Sequence, residues 1–74
     1  MLEEVEKKLR EAGYIVEVFT DWVKVGLTDG VKVHLLEDGS SQLELGAYCN
    51  AALSAQATQA LNEVLTIFTT EMNK

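Results

Sequence analysis

Proline is absent from this 74-residue chain, and cysteine, histidine and tryptophan occur once each. A single cysteine, Cys49, cannot form an intramolecular disulfide, and a reducing interior is the expected environment. Cys49 also has no CxxC partner and no second ligand nearby, so neither a metal nor another cofactor is expected. It reads as a small buried hydrophobe, with an intermolecular role as the alternative. Basic residues are scarce too: 6 Lys+Arg against 12 Asp+Glu give a net charge of -6. Phosphate backbones and anionic lipid surfaces select basic patches, so direct nucleic-acid and membrane binding are disfavoured. The one basic cluster, Lys7, Lys8 and Arg10, sits among Glu3, Glu4, Glu6 and Glu11, as on a helix face laced with ion pairs. No apolar run approaches the ~20 residues of a spanning helix. The opening Met1-Leu2-Glu3-Glu4 is acidic and amphipathic, unlike a signal peptide. These exclusions lead to the expectation of a soluble, cytoplasmic protein, one small domain over residues 1–74.

What is present is mostly sheet. Hydrophobic content of 47% and charged content of 24% are ordinary for a globular chain. From Gly13 to Gly46 apolar residues alternate with polar ones: Tyr14, Val16, Val18; Val23, Val25, Leu27; Val31, Val33, Leu35; then Leu43 and Leu45. A period of two with one apolar face marks half-buried strands. The register follows from parity, because residues paired across an antiparallel ladder point to the same face. At Leu27-Thr28-Asp29-Gly30-Val31 a two-residue loop puts the faces out of step. A three-residue loop pairs Leu27 with Val31, Val25 with Val33 and Val23 with Leu35, and leaves Gly30 on the left-handed position of a type I turn plus bulge. Leu36-Glu37-Asp38-Gly39-Ser40 repeats that spelling and pairs Leu36 with Ser40 and Val33 with Leu43. A two-residue loop at Thr20-Asp21 pairs Phe19 with Trp22 and Val18 with Val23. The expectation is a four-stranded antiparallel meander in sequential order.

Helices flank it. Leu2, Val5, Leu9 and Ala12 recur at helical spacing over residues 2–12, and Gly13 stops the helix. Beyond Leu45 the period changes to 3.6, with Leu53, Ala57, Ala60, Leu61, Val64, Leu65, Ile67 and Phe68 spaced for a helix over 51–72. Asn50 is a plausible N-cap, Ser54 an alternative start, and Thr66, Thr69 and Thr70 predict fraying beyond Phe68. The apolar stripe is wide, so either the first helix or a second copy of the protein covers its flank. The fold class expected is α+β in two layers, α-β-β-β-β-α, with both helices on one sheet face.

The same register describes the opposite face. One row reads Glu17, Lys24, His34, Gln42 and another Ile15, Gly26, Lys32, Glu44, placing opposite charges across from each other at Glu17–Lys24 and Lys32–Glu44. The third row, Phe19, Trp22, Leu36 and Ser40, gathers three large apolar side chains at one end of a polar face. Contiguous exposed apolar clusters mark partner sites, and aromatic residues are favoured anchors. Phe19, Trp22 and Leu36, with Ile15 and His34 on the same face, are therefore the candidate partner-binding residues; the plain reading is that they merely cover the sheet end. Gly26, mid-strand on this face, predicts a bulge or a close approach by another backbone.

Catalysis finds little support. His34 has no serine or cysteine nucleophile beside it in this register. The acid pairs Glu3/Glu4 and Glu37/Asp38 fall on a helix surface and a turn, and the glycines spell no phosphate loop. The expected class is a non-enzymatic protein-interaction module, either a homodimer or a binder of one protein partner. The alternative is an acidic inhibitor whose carboxylates imitate phosphates in a basic groove.

Two resemblances parallel these readings. The order helix, meander, helix, with Asp29-Gly30-Val31-Lys32-Val33-His34-Leu35 leading to Leu43-Glu44-Leu45, resembles part of the small dimeric chaperones of bacterial type III secretion. Those chains are longer and carry additional strands and helices. Such a resemblance implies a dimer that binds a protein. In size, charge and topology the chain is also similar to small acidic phage proteins, anti-CRISPR inhibitors among them, which implies an inhibitor of host machinery.

Overall fold

A computed structural model describes residues 2–28, 30–46 and 54–74. The elements are α1 (Leu2–Glu11), β1 (Ile15–Val18), β2 (Trp22–Gly26), β3 (Val31–Leu36), β4 (Ser41–Leu45) and α2 (Ala55–Met72). The strands form one antiparallel sheet in the order β1-β2-β3-β4. This is the α-β-β-β-β-α order expected of the sequence.

Turn chemistry sets the register. Val25 lies opposite Val33, and Val33 opposite Leu43. Gly30 and Gly39 take φ of 75° and 94°, a region that a side chain disfavours. The Leu27 N–H donates to Val31 O at 2.8 Å and the Leu36 N–H to Ser40 O at 2.9 Å, closing both three-residue loops. At the second loop Asp38 accepts from the Ser40 N–H at 2.9 Å and from its hydroxyl at 2.6 Å, which lowers the Asp38 pKa. The first hairpin closes through the Phe19 N–H to Trp22 O at 2.9 Å. The Glu37 N–H, bonded to Asp21 O at 3.0 Å, ties this turn to the β3–β4 turn.

Helix α1 opens with Glu3 and Glu4 and closes with Lys8 and Arg10, matching the helix dipole at both ends. It stops at Glu11, one residue earlier than the spacing suggests. Gly13, at φ 98°, donates to Arg10 O and Tyr14 to Leu9 O, a Schellman closure. Helix α2 begins at the later of its two starts: Ser54 caps it by accepting from the Ala57 N–H at 3.0 Å. The Asn50 start lies outside the described residues, as does Cys49. At its other end α2 runs a full turn past Phe68, against the expected fraying. Thr66 returns its hydroxyl to Asn62 O at 2.8 Å, Asn73 donates to Thr69 O, and Met72 packs against the core, so the threonines are held by context.

The core lies between sheet and helices: Val5, Leu9, Val16, Val23, Val25, Val33, Leu35, Val64 and Phe68. Val5 and Leu9 sit beside Val64 and Phe68, so α1 covers the flank of α2 as a helix-on-helix contact. The Tyr14 hydroxyl bonds Glu63; burial first, then the neighbouring carboxylate, raises its pKa.

One expectation fails here. Leu43 and Leu45 share the core face by register, yet each is 44% exposed. The helices rest over β1, β2 and β3, and the edge strand β4 projects beyond them. Among the described residues no helix is long and apolar enough to cross a membrane.

Candidate functional site

The sheet face opposite the helices carries the cluster that the alternation locates. Phe19 follows β1 directly and Trp22 opens β2, so the two-residue turn sets their rings side by side. The rings stack with centroids 4.1 Å apart and an interplanar angle of 6°. Trp22 also leans on His34 of β3, centroids 4.6 Å apart at 34°. Leu36, the cross-strand partner of Trp22, is half-buried beside it. Phe19 remains 40% exposed. The hairpin brings the side chains together, as the plain reading holds, but leaves Phe19 exposed at the edge of the cluster.

Sequence reasoning missed two members. Glu44, directly opposite Lys32 in the ladder, turns diagonally instead: its Oε1 lies 2.8 Å from His34 Nε2 and 3.8 Å from Lys24 Nζ. Glu17 stands opposite Lys24 and Lys32 opposite Glu44, as expected, but the close contacts of Lys24 and Glu44 run diagonally, with Glu44 gaining a hydrogen bond from His34. The diagonal i, j±2 positions of a twisted sheet are within reach of long side chains, and counting them in the derived register is the signal that finds it. Lys24 Nζ stands 5.9 Å from the Phe19 centroid and 5.8 Å from that of Trp22, within cation–π range. The His34 hydrogen bond, then the charges of Lys24, His34 and Lys32, hold the Glu44 carboxyl below its ordinary value. Phe19, Trp22, His34, Glu44 and Lys24 thus form one run of contacts reaching from the β1–β2 turn to β4.

Ile15 shares this face but not the cluster. At 78% exposure it stands four residues from Phe19, about 13 Å along the strand. Gly26, its cross-strand partner, forms no bulge: it stays in the ladder, and a Cβ there meets only Ile15 O at 3.9 Å. Among the described residues nothing demands glycine at that position.

Two depressions adjoin the cluster, one at Phe19 and one at Leu36. One of about 210 Å³ is lined by Leu2, Glu3, Glu6, Val18, Phe19, Thr20 and Glu37. The other, about 370 Å³, is lined by Asp21, Leu36, Glu37 and Asp38. The apolar patch therefore has a carboxylate rim, and Glu37 belongs to both depressions. Within the rim Glu6 is engaged by Arg10 at 2.9 Å. No group of three or more His, Cys, Asp or Glu side chains is arranged to hold a metal ion among the described residues.

For nucleophilic chemistry, the His34–Glu44 pair needs a hydroxyl or thiol at the imidazole. Ser41, opposite Leu35, falls on the helix side, and the Ser40 hydroxyl is committed to Asp38.

Comparison with protein-family models, with curated proteins and with solved structures found no match. The functional argument therefore rests on this geometry.

Proposed function

We propose that this protein is a non-enzymatic binding module that engages one protein partner through the outer sheet face, with Phe19 and Trp22 as anchors. The observation that carries this reading is the parallel Phe19–Trp22 stack, built outside the core on the face that neither helix covers. A half-buried tryptophan under an exposed phenylalanine, with carboxylates nearby, suits a segment with apolar side chains flanked by lysine or arginine. Burial of the apolar centre supplies the affinity, and the acidic rim steers the approach. Lys24, tethered by Glu44 beside both rings, orders the aromatic surface before the partner arrives. Leu36 and His34 complete the contact area.

The test is capture from a lysate of the source cell, with the wild-type chain and Trp22→Ala as paired baits at low and high salt. A protein retained by wild type at high salt and lost with a folded Trp22→Ala bait is the expected result. Retention that collapses at high salt and ignores Trp22 contradicts this proposal and favours the acidic-inhibitor reading, since screening shortens the reach of exposed charges.

A further inference from the structure

The two edges of the sheet are finished differently. In β1 the Phe19–Trp22 hydrogen bond fixes the alternation, so the backbone groups of Val16 and Val18 point to the open side. There Arg10, reaching down from α1, donates from Nη2 to Val16 O at 2.8 Å and blocks the edge. In β4 the Leu36–Ser40 and Gly30–Gly46 bonds leave the backbone groups of Ser41, Leu43 and Leu45 pointing outward. Among the described residues no side chain caps them. Natural edge strands are blunted by proline, lysine, bulges or a covering element. Strand β4, Ser41-Gln42-Leu43-Glu44-Leu45, has no proline, lysine or bulge, and its one charge is turned inward to His34 and Lys24.

We infer that β4 is a dimerisation edge, pairing antiparallel with β4 of a second copy about a two-fold axis through Leu43. This concerns a different surface from the aromatic face, so either proposal can fail without the other. The sequence of β4 is self-complementary in that register. Leu43 faces Leu43 and Ser41 faces Leu45, so each residue with outward backbone groups meets another, and such pairs exchange two hydrogen bonds. On the outer face Gln42 of one copy faces Glu44 of the other, an amide against a carboxylate. Sliding the pair by two residues in one direction sets Glu44 against Glu44, which like-charge repulsion disfavours; in the other it runs the overlap into the turn. An odd shift puts the faces out of step. On the helix side Leu43 and Leu45 of both copies close over one another, burying the side chains that the helices leave open. Helix α2 rests over β3, so the two α2 helices stand three strand spacings apart, about 14 Å. That clears the ~8–10 Å of touching helices, and the leucines fill the space between. The product is one continuous sheet with both aromatic patches on the same side.

Sedimentation equilibrium from micromolar to millimolar concentration, with amide exchange at both ends of that range, tests the inference. The expected result is a monomer–dimer equilibrium in which the Leu43 and Leu45 amides slow as concentration rises. Leu43→Pro removes an N–H that bonds to none of the described residues, so a folded, monomeric variant is expected. Gln42→Glu should weaken the dimer roughly fivefold and Gln42→Lys tighten it by a similar factor, because the altered pair occurs twice. Gln59→Glu and Gln59→Lys, the same charge changes on exposed α2, should move it much less. These helix and strand surface variants decide the matter if Leu43→Pro does not fold. A monomer throughout overturns the inference. So does a dimer indifferent to Leu43→Pro, or one that responds alike to charge at positions 42 and 59.

Discussion

On the helix side of the sheet Val23, Val25 and Leu35 are fully closed off from solvent, while on the opposite side an exposed Phe19 stacks on a half-buried Trp22. Both sets are apolar, and on β2 they are adjacent: Trp22 faces one side and Val23 the other. Their surroundings differ in kind. The inner residues meet α1 and α2 and form a closed cluster of aliphatic side chains with Phe68. The outer ones meet a histidine, a lysine and an acidic rim, which are groups that stay hydrated. The lesson is that apolar character alone does not define a core. The inner face is what folding requires, and the outer face is what the fold displays.

Substitution can break that comparison most forcefully from the inside. Phe68→Ala should cost about 3–5 kcal/mol of folding stability, the loss expected when a buried aromatic leaves a cavity. Urea unfolding measures it. A loss below about 1 kcal/mol would mean that α2 is not essential to the inner face.

Gly26→Thr sharpens the contrast from the outer face. Glycine inside a strand is unfavourable by roughly 0.5–1 kcal/mol, and a Cβ here meets no crowding, so the isolated chain should gain about that amount in the same unfolding experiment. A loss instead would place a folding constraint on this face.

The smallest effect concerns Glu44. Its folded pKa is depressed, so its contribution to stability is present above the ordinary value of 4.5 and is lost as pH falls through the folded value. A carboxyl-carbon NMR titration should find the Glu44 midpoint below 4.5, moving back toward it in Lys24→Met, which removes one of the stabilising charges. A midpoint at or above 4.5 would dissolve the His34–Glu44–Lys24 arrangement and with it the ordered surface around the rings.

The fold was legible because its turns constrain parity. At Thr28 to Gly30 only one loop length keeps Leu27 and Val31 on a common face, and that choice propagates through Val25–Val33 to Leu43. The aromatic row was legible for the same reason. What periodicity does not encode is extent. Alternation places Leu43 and Leu45 on the inner face, but how far the helical layer reaches over them depends on where α1 and α2 settle. Propensity likewise understates α2, whose final turn is held by Met72 on the core and a capping bond at Asn73. The diagonal reach of Glu44 depends on sheet twist and on a better partner than the one opposite.

Trp22→Ala tests the central claim most directly, by unfolding at several protein concentrations beside capture of the partner. Concentration enters because any self-association adds its own stability. The account predicts a stability loss well short of the ~3–5 kcal/mol of a core tryptophan, together with at least ~2 kcal/mol of lost binding. A core-sized, concentration-independent loss of stability would contradict it, since Trp22 would then belong to the fold and not to an interface.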